Sequence, residues 1–264
     1  MLRPRIIPCL LVHKSGLVKT QNFKSPRYVG DPINAVKIFN EKEADELLVL
    51  DIDATVNSTE PNFDLIAKLA AECRMPLCYG GGITTVAQAS RIIDLGVEKV
   101  SLSASAVKSP ELLNRISCAI GRQSVVGVID VRRKSGLFAT GYEVFTHNAQ
   151  NARNLDPLAL AKSLQEAGAG EILINSIDQD GQMNGYDLHL AEQMRAGLQV
   201  PLTILGGAGS LDDMAKLIAK CGVVGAAAGS LFVFKGRYRA VLISYPNQEQ
   251  KQKIYATALT SSID

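Results

Sequence analysis

Two glycine-rich turns, each directly after a short apolar run, are the residues of this sequence best suited to hold a ligand. Residues 77–83 read Leu-Cys-Tyr-Gly-Gly-Gly-Ile, and residues 202–209 read Leu-Thr-Ile-Leu-Gly-Gly-Ala-Gly. Glycine lets backbone N–H groups approach a ligand closely, and the N-terminus of a following helix adds positive potential. Phosphate is the ligand that such N–H groups usually bind. One turn in each half of the chain therefore predicts a ligand with a phosphate at each end.

Small residues after the next apolar run complete each predicted anion site. The first site then comprises Gly81, Gly82 and Ser103-Ala104, and the second comprises the residues Gly207, Gly229 and Ser230. We expect the second site to bind phosphate better, because Ser230 keeps a hydroxyl group that Ala104 lacks.

A carboxylate lies at the end of another apolar run. Asp130 follows residues 125–129, Val-Val-Gly-Val-Ile, and a carboxylate in such a place needs water or hydrogen-bonding partners. We interpret Asp130 as a catalytic acid or base, while a simple cap of the next turn stays open as the alternative. The equivalent residue of the first half of the chain is Leu11, so the matching carboxylate is missing there.

Eight short apolar runs alternate with helical patterns and must position these residues. Runs that are apolar at nearly every residue indicate strands buried on both faces, and their alternation with helices predicts one closed (β/α)₈ barrel. Asp-Pro and Ser-Pro pairs at 31–32, 109–110 and 156–157 mark helix starts. The predicted strands are Ile6–Val12, Leu47–Asp51, Pro76–Tyr79, Lys99–Leu102, Ser124–Val131, Glu171–Asn175, Pro201–Leu205 and Val223–Ala228.

An internal repeat supports the barrel. The glycine turns and two strand segments recur at offsets of 119 to 126 residues, which predicts two half-barrels, residues 1–120 and 121–234. In such a barrel the site lies at the C-terminal ends of the strands. We expect the barrel to occupy residues 1–235, with a β-hairpin insertion at about 132–148 that acts as a lid or docking element, and a helical extension, 236–264, packed on the barrel.

Composition narrows the function further. The 264 residues are close to the roughly 250 of a typical (β/α)₈ barrel. The net charge of +2 argues against nucleic acid as a partner. Five scattered cysteines with no C-x-x-C spacing, and three histidines that form no ligand cluster, predict a reducing, cytoplasmic setting with no metal and no cofactor. No apolar run approaches transmembrane length, so we expect no membrane association.

The sequence resembles the HisF family, the cyclase subunit of imidazole glycerol phosphate synthase, from about residue 4 to residue 234. The motifs that carry the resemblance are Gly-Asp-Pro at 30–32, Leu-Asp-Ile at 50–52, Gly-Gly-Gly-Ile at 80–83, Ser-Ile-Asp at 176–178 and Gly-Gly-Ala-Gly at 206–209. The resemblance implies a barrel that takes ammonia from a partner glutaminase through its axis. In the family, this ammonia cleaves and cyclises a small bis-phosphorylated substrate.

The resemblance also implies roles for residues at the two ends of the barrel. At the substrate end, Asp130 matches one of two catalytic aspartates and Leu11 stands in place of the other. Further matches there are Asp51 and Lys19 as catalytic candidates, with Lys19 in a loop, Lys14–Gly30, that closes over substrate, and the turn Asp180-Gly181 for phosphate.

At the opposite end, the resemblance implies a ring of four charged residues that gates ammonia, comprising Arg5, Glu46, Lys99 and Glu171. Each stands at the start of a predicted strand, so the four can converge on the axis and neutralise one another. Ordinary solvated strand-end charges are the alternative interpretation. Glu98 matches the position that docks the glutaminase, a HisH-like subunit at the N-terminal face.

Several residues of the substrate end depart from the family pattern. Besides Leu11, Ser103-Ala104 replaces Asn-Thr, and Asp53 and Asn175 replace threonines. An intact ammonia entrance with an altered cyclase site is similar to HisF-like paralogues of surface-polysaccharide gene clusters, which implies amidation of a sugar by a third partner, a sugar amidotransferase. The alternatives are a working cyclase of histidine biosynthesis, a non-catalytic scaffold that activates its glutaminase, and the related sugar-isomerase barrel.

Overall fold

The computed structural model describes residues 3–136 and 140–260 of the chain. Its strands are β1 Arg5–His13, β2 Gly16–Gln21, β3 Lys24–Gly30, β4 Leu47–Asp51, β5 Leu77–Gly80, β6 Lys99–Leu102, β7 Val125–Arg133, β8 Tyr142–Thr146, β9 Asn151–Ala152, β10 Glu171–Ser176, β11 Leu202–Leu205, β12 Gly225–Ala228, β13 Phe234–Lys235 and β14 Ala240–Val241. Its α-helices are α1 Pro32–Glu41, α2 Phe63–Glu72, α3 Val86–Asp94, α4 Ala104–Lys108, α5 Pro110–Ile120, α6 Pro157–Glu166, α7 Leu188–Gly197, α8 Leu211–Cys221, α9 Ser230–Val233 and α10 Gln248–Thr260.

Eight parallel strands form a closed barrel. Their order around the barrel is β1, β4, β5, β6, β7, β10, β11 and β12, and β12 pairs with β1 to close the ring. Helices connect successive strands, so the prediction of a single (β/α)₈ barrel is confirmed. The predicted strand positions are correct to within about two residues at each end.

Alternating side chains divide each barrel strand between two environments. On β1, Ile6, Leu10 and Val12 join the large core between the strands and the helices, whereas Ile7 and Cys9 join a smaller cluster on the barrel axis. The period of two along a strand imposes this division. The axial cluster consists of Ile7, Cys9, Leu48, Cys78, Val126, Val128, Leu173, Leu205 and Ala227, with Leu11 and Leu50 packed against it. The barrel axis is therefore mainly apolar between its two ends, and the buried hydroxyl group of Ser101, beside Cys78, is a polar group within it.

Most helix starts carry the caps that the sequence indicates. Asp31 and Asp156 accept hydrogen bonds from the backbone N–H groups of Asn34 and Ala159, and proline follows each of them. Ser109 precedes Pro110 at the start of α5 but makes no such side-chain bond. These caps fix where each helix turns back towards the next strand.

The segment 14–30, predicted as a loop, is a β-hairpin instead. Strand β2 pairs antiparallel with the end of β1, and β3 pairs antiparallel with β2. An antiparallel pair also follows the fifth barrel strand, where β8 pairs with β7. Hairpins after the first and fifth barrel strands occupy equivalent places in the two half-barrels, as the internal repeat requires.

The C-terminal segment runs from the barrel mouth to the barrel floor. Arg239 donates to the carbonyl oxygen of Gly181 near the mouth, and α10 packs against α8. At the floor, the buried Lys251 bonds the carboxylate of Asp45 at 3.1 Å, and Tyr255 donates to the same carboxylate. Residues 137–139 of the predicted insertion and 261–264 of the predicted extension lie outside the described residues. Within the described part of the chain, no helix is both long enough and apolar enough to cross a membrane.

Candidate functional site

A cavity of about 710 Å³ occupies the C-terminal ends of the barrel strands, and we call it the mouth cavity. Asp53, one of the departures from the family pattern, does not reach its wall, but all of the predicted catalytic and phosphate-binding residues do. These residues are Leu11, Lys19, Asp51, Gly81, Gly82, Ser103, Asp130, Asp180, Gly181, Gly207, Gly229 and Ser230. The structure therefore gathers candidates from the ends of all eight barrel strands into one space.

The two glycine turns lie on opposite sides of this cavity. Strands β5 and β11 carry them, and these strands are four apart in the ring of eight. Gly81 and Gly207 have positive φ angles of 125° and 109°, and a Cβ atom on either would lie within 2.4 Å of a backbone carbonyl oxygen. Only glycine fits there, because the neighbouring backbone packs closely against both turns. Anion binding at these turns stays a prediction.

Cationic side chains that sequence reasoning missed also line the mouth cavity. Lys108 at the end of α4 and Arg115 on α5 lie on its wall together with Ser103 and Ser105. Their charges complement an anion at the first glycine turn better than Ser103 alone. A short helix directly after β6 would have indicated Lys108 from the sequence, because Lys108 ends that helix and lines the cavity.

The second predicted anion site has a different cation close by. Gly229 is so near Lys19 that a Cβ atom at residue 229 would lie 2.7 Å from Nζ. Ser230, which begins α9, is buried and lines the same wall. The second site thus combines a hydroxyl group, backbone N–H groups and an ammonium group.

Lys19 projects from β2 and not from an open loop. Its side chain is buried, and Nζ donates to the carbonyl oxygen of Cys9. Burial lowers the pKa of Lys19, while Asp180 opposes that effect. A buried lysine at the edge of the mouth cavity is fixed in position, because β2 is itself paired on both sides.

Asp130 points into the mouth cavity from β7. Its carboxylate accepts hydrogen bonds from Asn175 Nδ2 at 3.1 Å and from Ser103 Oγ at 3.3 Å. Burial raises the pKa of Asp130 to about 6, although both hydrogen bonds act to lower it. A carboxyl group that titrates near neutrality can both accept and donate a proton, which suits acid–base chemistry.

Leu11 faces Asp130 across the mouth. Strands β1 and β7 are four apart in the ring, and both residues follow the inward positions of their strands. Leu11 packs against the axial cluster and lines the cavity. The side of the mouth opposite Asp130 therefore presents a hydrocarbon surface at this level.

Asp180 holds the hairpin β2–β3 in place. Its carboxylate accepts from Thr20 Oγ1 at 2.6 Å and from the N–H of Phe23 at 3.1 Å. Burial raises the pKa of Asp180. The neighbouring Gly181 has a φ of 69° and packs directly against the carbonyl oxygen of Thr20. In this structure the pair therefore contacts the hairpin, and its predicted role towards phosphate stays a prediction.

Asp51 closes the turn after β4. Its Oδ1 accepts from the N–H groups of Asp53 and Ala54 at 2.9 and 3.1 Å. Burial raises the pKa of Asp51, and the two backbone bonds oppose that shift. These contacts occupy one carboxylate oxygen and make Asp51 a turn cap at the cavity wall; its catalytic role stays a prediction.

The four charged residues at the barrel floor form a closed set of ion pairs, which we call the charged ring. Arg5 bonds Glu171 at 2.7 Å and also bonds Glu46, and Lys99 Nζ lies 2.8 Å from Glu46 and 2.9 Å from Glu171. Each charge thus has two partners of opposite sign. Both carboxylates are about 95% buried, so the pairs are largely shielded from water.

Electrostatics hold the charged ring in its ionised form. Burial alone would raise the pKa of Glu171, but Arg5 and Lys99 more than offset this and lower it to about 2. Burial would lower the pKa of Lys99, yet Glu171 and Glu46 raise it. The hydroxyl of Thr203 donates to Glu171 as well.

Glu98 lies at the same end of the barrel. Its Oε2 accepts from the N–H of Leu77 at 2.7 Å, at the start of β5. The carboxylate is therefore on the N-terminal face, where it anchors a strand end. Its docking role stays a prediction.

A HisF-type barrel is defined by the closed barrel together with its paired glycine turns and the charged ring on its axis. Comparison with known proteins agrees. The sequence profile of the family described as histidine biosynthesis protein matches residues 5–239. This chain therefore belongs to that family.

Individual relatives support the same assignment. A protein of Vibrio vulnificus, provisionally named imidazole glycerol phosphate synthase subunit hisF3, is 54% identical over 253 residues, 96% of each chain. A provisionally named HisF subunit of Leptospira interrogans is 53% identical over 255 residues, 97% of this chain and all of the relative. A protein of Exiguobacterium sibiricum, named imidazole glycerol phosphate synthase subunit HisF, is 39% identical over 88% of this chain and 91% of its own. The chain is thus a HisF homologue.

Proposed function

We propose that this chain is the ammonia-accepting barrel subunit of a glutamine amidotransferase complex. A HisH-like glutaminase docks at the N-terminal face, and ammonia enters past the charged ring and travels along the axis to the mouth cavity. There it serves the amidation of a sugar in surface-polysaccharide biosynthesis, with a sugar amidotransferase as third partner.

The contrast between the two ends of the barrel carries this proposal. At the floor, Arg5, Glu46, Lys99 and Glu171 pair completely. At the mouth, Leu11 offers no proton-transfer group opposite Asp130. Removing one of two acid–base groups typically costs a factor of about 10² to 10⁴ in rate, so this mouth suits delivery of ammonia better than cyclisation.

The apolar axis supports passage of neutral ammonia. Its cluster runs from Ile7 through Cys9 to Leu11 on β1, with Cys78 and Leu173 on other strands. An ammonium ion would lose its hydration there without gaining a counter-charge, whereas neutral ammonia carries a much smaller desolvation cost. The lining therefore favours neutral ammonia, the reactive form, over the ammonium ion.

The test couples this chain to a HisH-like glutaminase. We expect glutamine hydrolysis to depend on the presence of the barrel, and Lys99→Met to disturb the ratio of ammonia delivered to glutamine hydrolysed. The matched control is Lys220→Met, which removes an exposed lysine paired with Glu192. A glutaminase that neither binds the barrel nor responds to it would contradict the proposal.

A second candidate is a working cyclase of histidine biosynthesis. The pKa of Asp130, raised to about 6 by burial, supports it, because one carboxyl group near neutrality can serve both proton transfers. We expect cyclisation of the histidine-pathway intermediate to stay near background and Leu11→Asp to restore part of it. Turnover by the unmodified chain at the rate of an ordinary HisF subunit would favour this candidate instead.

A further inference from the structure

A second cavity of about 670 Å³ lies beside the mouth cavity, and we call it the side cavity. The end of β1, the tip of the hairpin β2–β3, the loop after β4 and the turn 148–150 enclose it. It shares wall residues with the mouth cavity, namely Thr20, Phe23, Ile52 and Asn148. The two spaces are therefore neighbours separated by a single layer of side chains.

A histidine–carboxylate pair lies on the wall of the side cavity. His13 Nδ1 is 2.6 Å from Asp53 Oδ1, and Asp53 Oδ2 accepts from the N–H of Lys14 at 2.7 Å. Both oxygens of Asp53 are therefore occupied, and the hydrogen bond fixes the orientation of the imidazole ring. His13 remains about a quarter exposed, so the ring can contact a ligand in the cavity.

The remaining charges on the wall are cationic. Lys14 and Lys24 form no ion pair with any residue that the structure describes, and Arg132 lies 3.9 Å from Asp178 with its guanidinium stacked over Phe145. Three cations thus lie beside two carboxylates, Asp53 and Asp178, and Asp53 is already hydrogen-bonded. The excess of positive charge attracts an anion.

Tight turns form part of the wall of the same cavity. Lys14 lies in the two-residue turn between β1 and β2, and Asn22 and Phe23 form the turn between β2 and β3; their positive φ angles of 48° to 63° are the ordinary geometry of such hairpin turns. The turns fix the shape of the wall. Asn148 contributes by donating from Nδ2 to the carbonyl oxygen of Ile52 at 2.7 Å.

We propose that the side cavity is a second anion-binding site, which takes a phosphate or carboxylate group with His13 as its hydrogen-bonding partner and Lys24 and Arg132 as its counter-charges. The site is separate from the two glycine turns and does not rest on the proposed ammonia function. Because Nδ1 is bonded to Asp53, Nε2 is the ring nitrogen of His13 that is left for the anion.

Histidine NMR gives a direct test, because the chain has three histidines. His13 reports on the side cavity and His147 on the mouth cavity. His189, stacked on Tyr142, lines neither cavity and reports on folding. Inorganic phosphate and glucuronate are titrated separately, so that the two kinds of anion are distinguished. We expect at least one of them to shift the imidazole signals of His13 saturably while those of His189 stay fixed.

Charge-removing variants then test the site itself. We expect Lys24→Met and Arg132→Met each to raise the anion dissociation constant measured at the His13 signals by about two- to fivefold, and their combination to raise it by about tenfold. The dissociation constant measured at the His147 signals should stay unchanged. Lys220→Met, a distant exposed lysine, is the matched control. The proposal would be overturned if neither anion shifted the His13 signals, or if the combined Lys24→Met and Arg132→Met substitutions left the anion dissociation constant unchanged.

Discussion

Removing one cation from the charged ring should cost far more folding free energy than removing the same side chain from the protein surface. Lys99 Nζ lies 2.8 and 2.9 Å from two carboxylates that are each about 95% buried. In Lys99→Met, Arg5 is left as the only ring cation for Glu46 and Glu171. Breaking a buried pair in this way typically costs about 3–5 kcal/mol.

A double-mutant cycle separates this charge effect from the loss of packing. In the Lys99→Met background, Glu171→Gln removes the carboxylate that would be left in excess, and it restores a one-to-one balance between Arg5 and Glu46. We therefore expect the two substitutions to be non-additive, with a coupling free energy of about 1–3 kcal/mol in favour of the double variant.

The assay is urea unfolding followed by far-UV circular dichroism, with the free energy of unfolding taken from midpoint and slope. Lys220→Met is the control, because Lys220 pairs with Glu192 at 3.1 Å but both side chains are about half exposed. Such pairs contribute about 0–1 kcal/mol. Equal losses in Lys99→Met and Lys220→Met, or strict additivity in the cycle, would refute the reasoning.

Three further expectations follow from buried charges of the barrel. The pKa of Glu171 is lowered to about 2. Its contribution to stability is therefore present above its unfolded pKa and is lost as pH falls from about 4.5 to 2. Over that pH range, wild type should lose stability more steeply than Glu171→Gln. The pKa of Asp130 is raised to about 6, so its contribution to stability is lost as pH rises from about 4 through 6. Asp130→Asn should therefore be about 1–3 kcal/mol more stable than wild type near pH 7.5 and similar to it near pH 4. Thermal unfolding at both pH values measures this difference. Lys251 is buried against Asp45, so Lys251→Met should cost about 2–3 kcal/mol in urea unfolding, whereas Lys253→Met, on the same helix but exposed, should change stability by less than about 0.5 kcal/mol.

The barrel and its two ends could be predicted because their signals are local or repeated. Each barrel strand is a short apolar run, and caps such as Asp31-Pro32 mark where helices begin. The repeat at offsets of 119 to 126 residues fixed the equivalence of Leu11 and Asp130 before any geometry was known. Resemblance to HisF then grouped Arg5 with Glu46, Lys99 and Glu171, which spacing alone could not do.

The hairpin β2–β3 could not be predicted, because its second strand lacks a strand signal. Residues 24–28 read Lys-Ser-Pro-Arg-Tyr and are exposed throughout, so no alternation of apolar and polar residues marks them. Pairing with β2 and the contacts of Thr20 and Phe23 with Asp180 stabilise the hairpin instead. These contacts span about 160 residues of sequence, and no local pattern encodes them.

The pair His13–Asp53 was missed for the same reason. The two residues are 40 positions apart on neighbouring strand ends, and a lone histidine beside a lone aspartate has no diagnostic spacing. Asp53 was noticed as a departure from the family pattern, but its partner became visible only when β1 and β4 were placed side by side.

The charged ring itself has two physical explanations that must be separated. Each of its charges is paired twice and both carboxylates are buried, so any single substitution leaves an unbalanced charge. Folding alone therefore gives a reason to keep the ring, whereas at the mouth a leucine at residue 11 costs the fold little. The double variant Lys99→Met/Glu171→Gln distinguishes the two explanations, because its charges balance and the fold should survive. If the ring only supports folding, this variant should still couple glutamine hydrolysis to ammonia delivery; if it gates ammonia, coupling should fail in a barrel that remains folded.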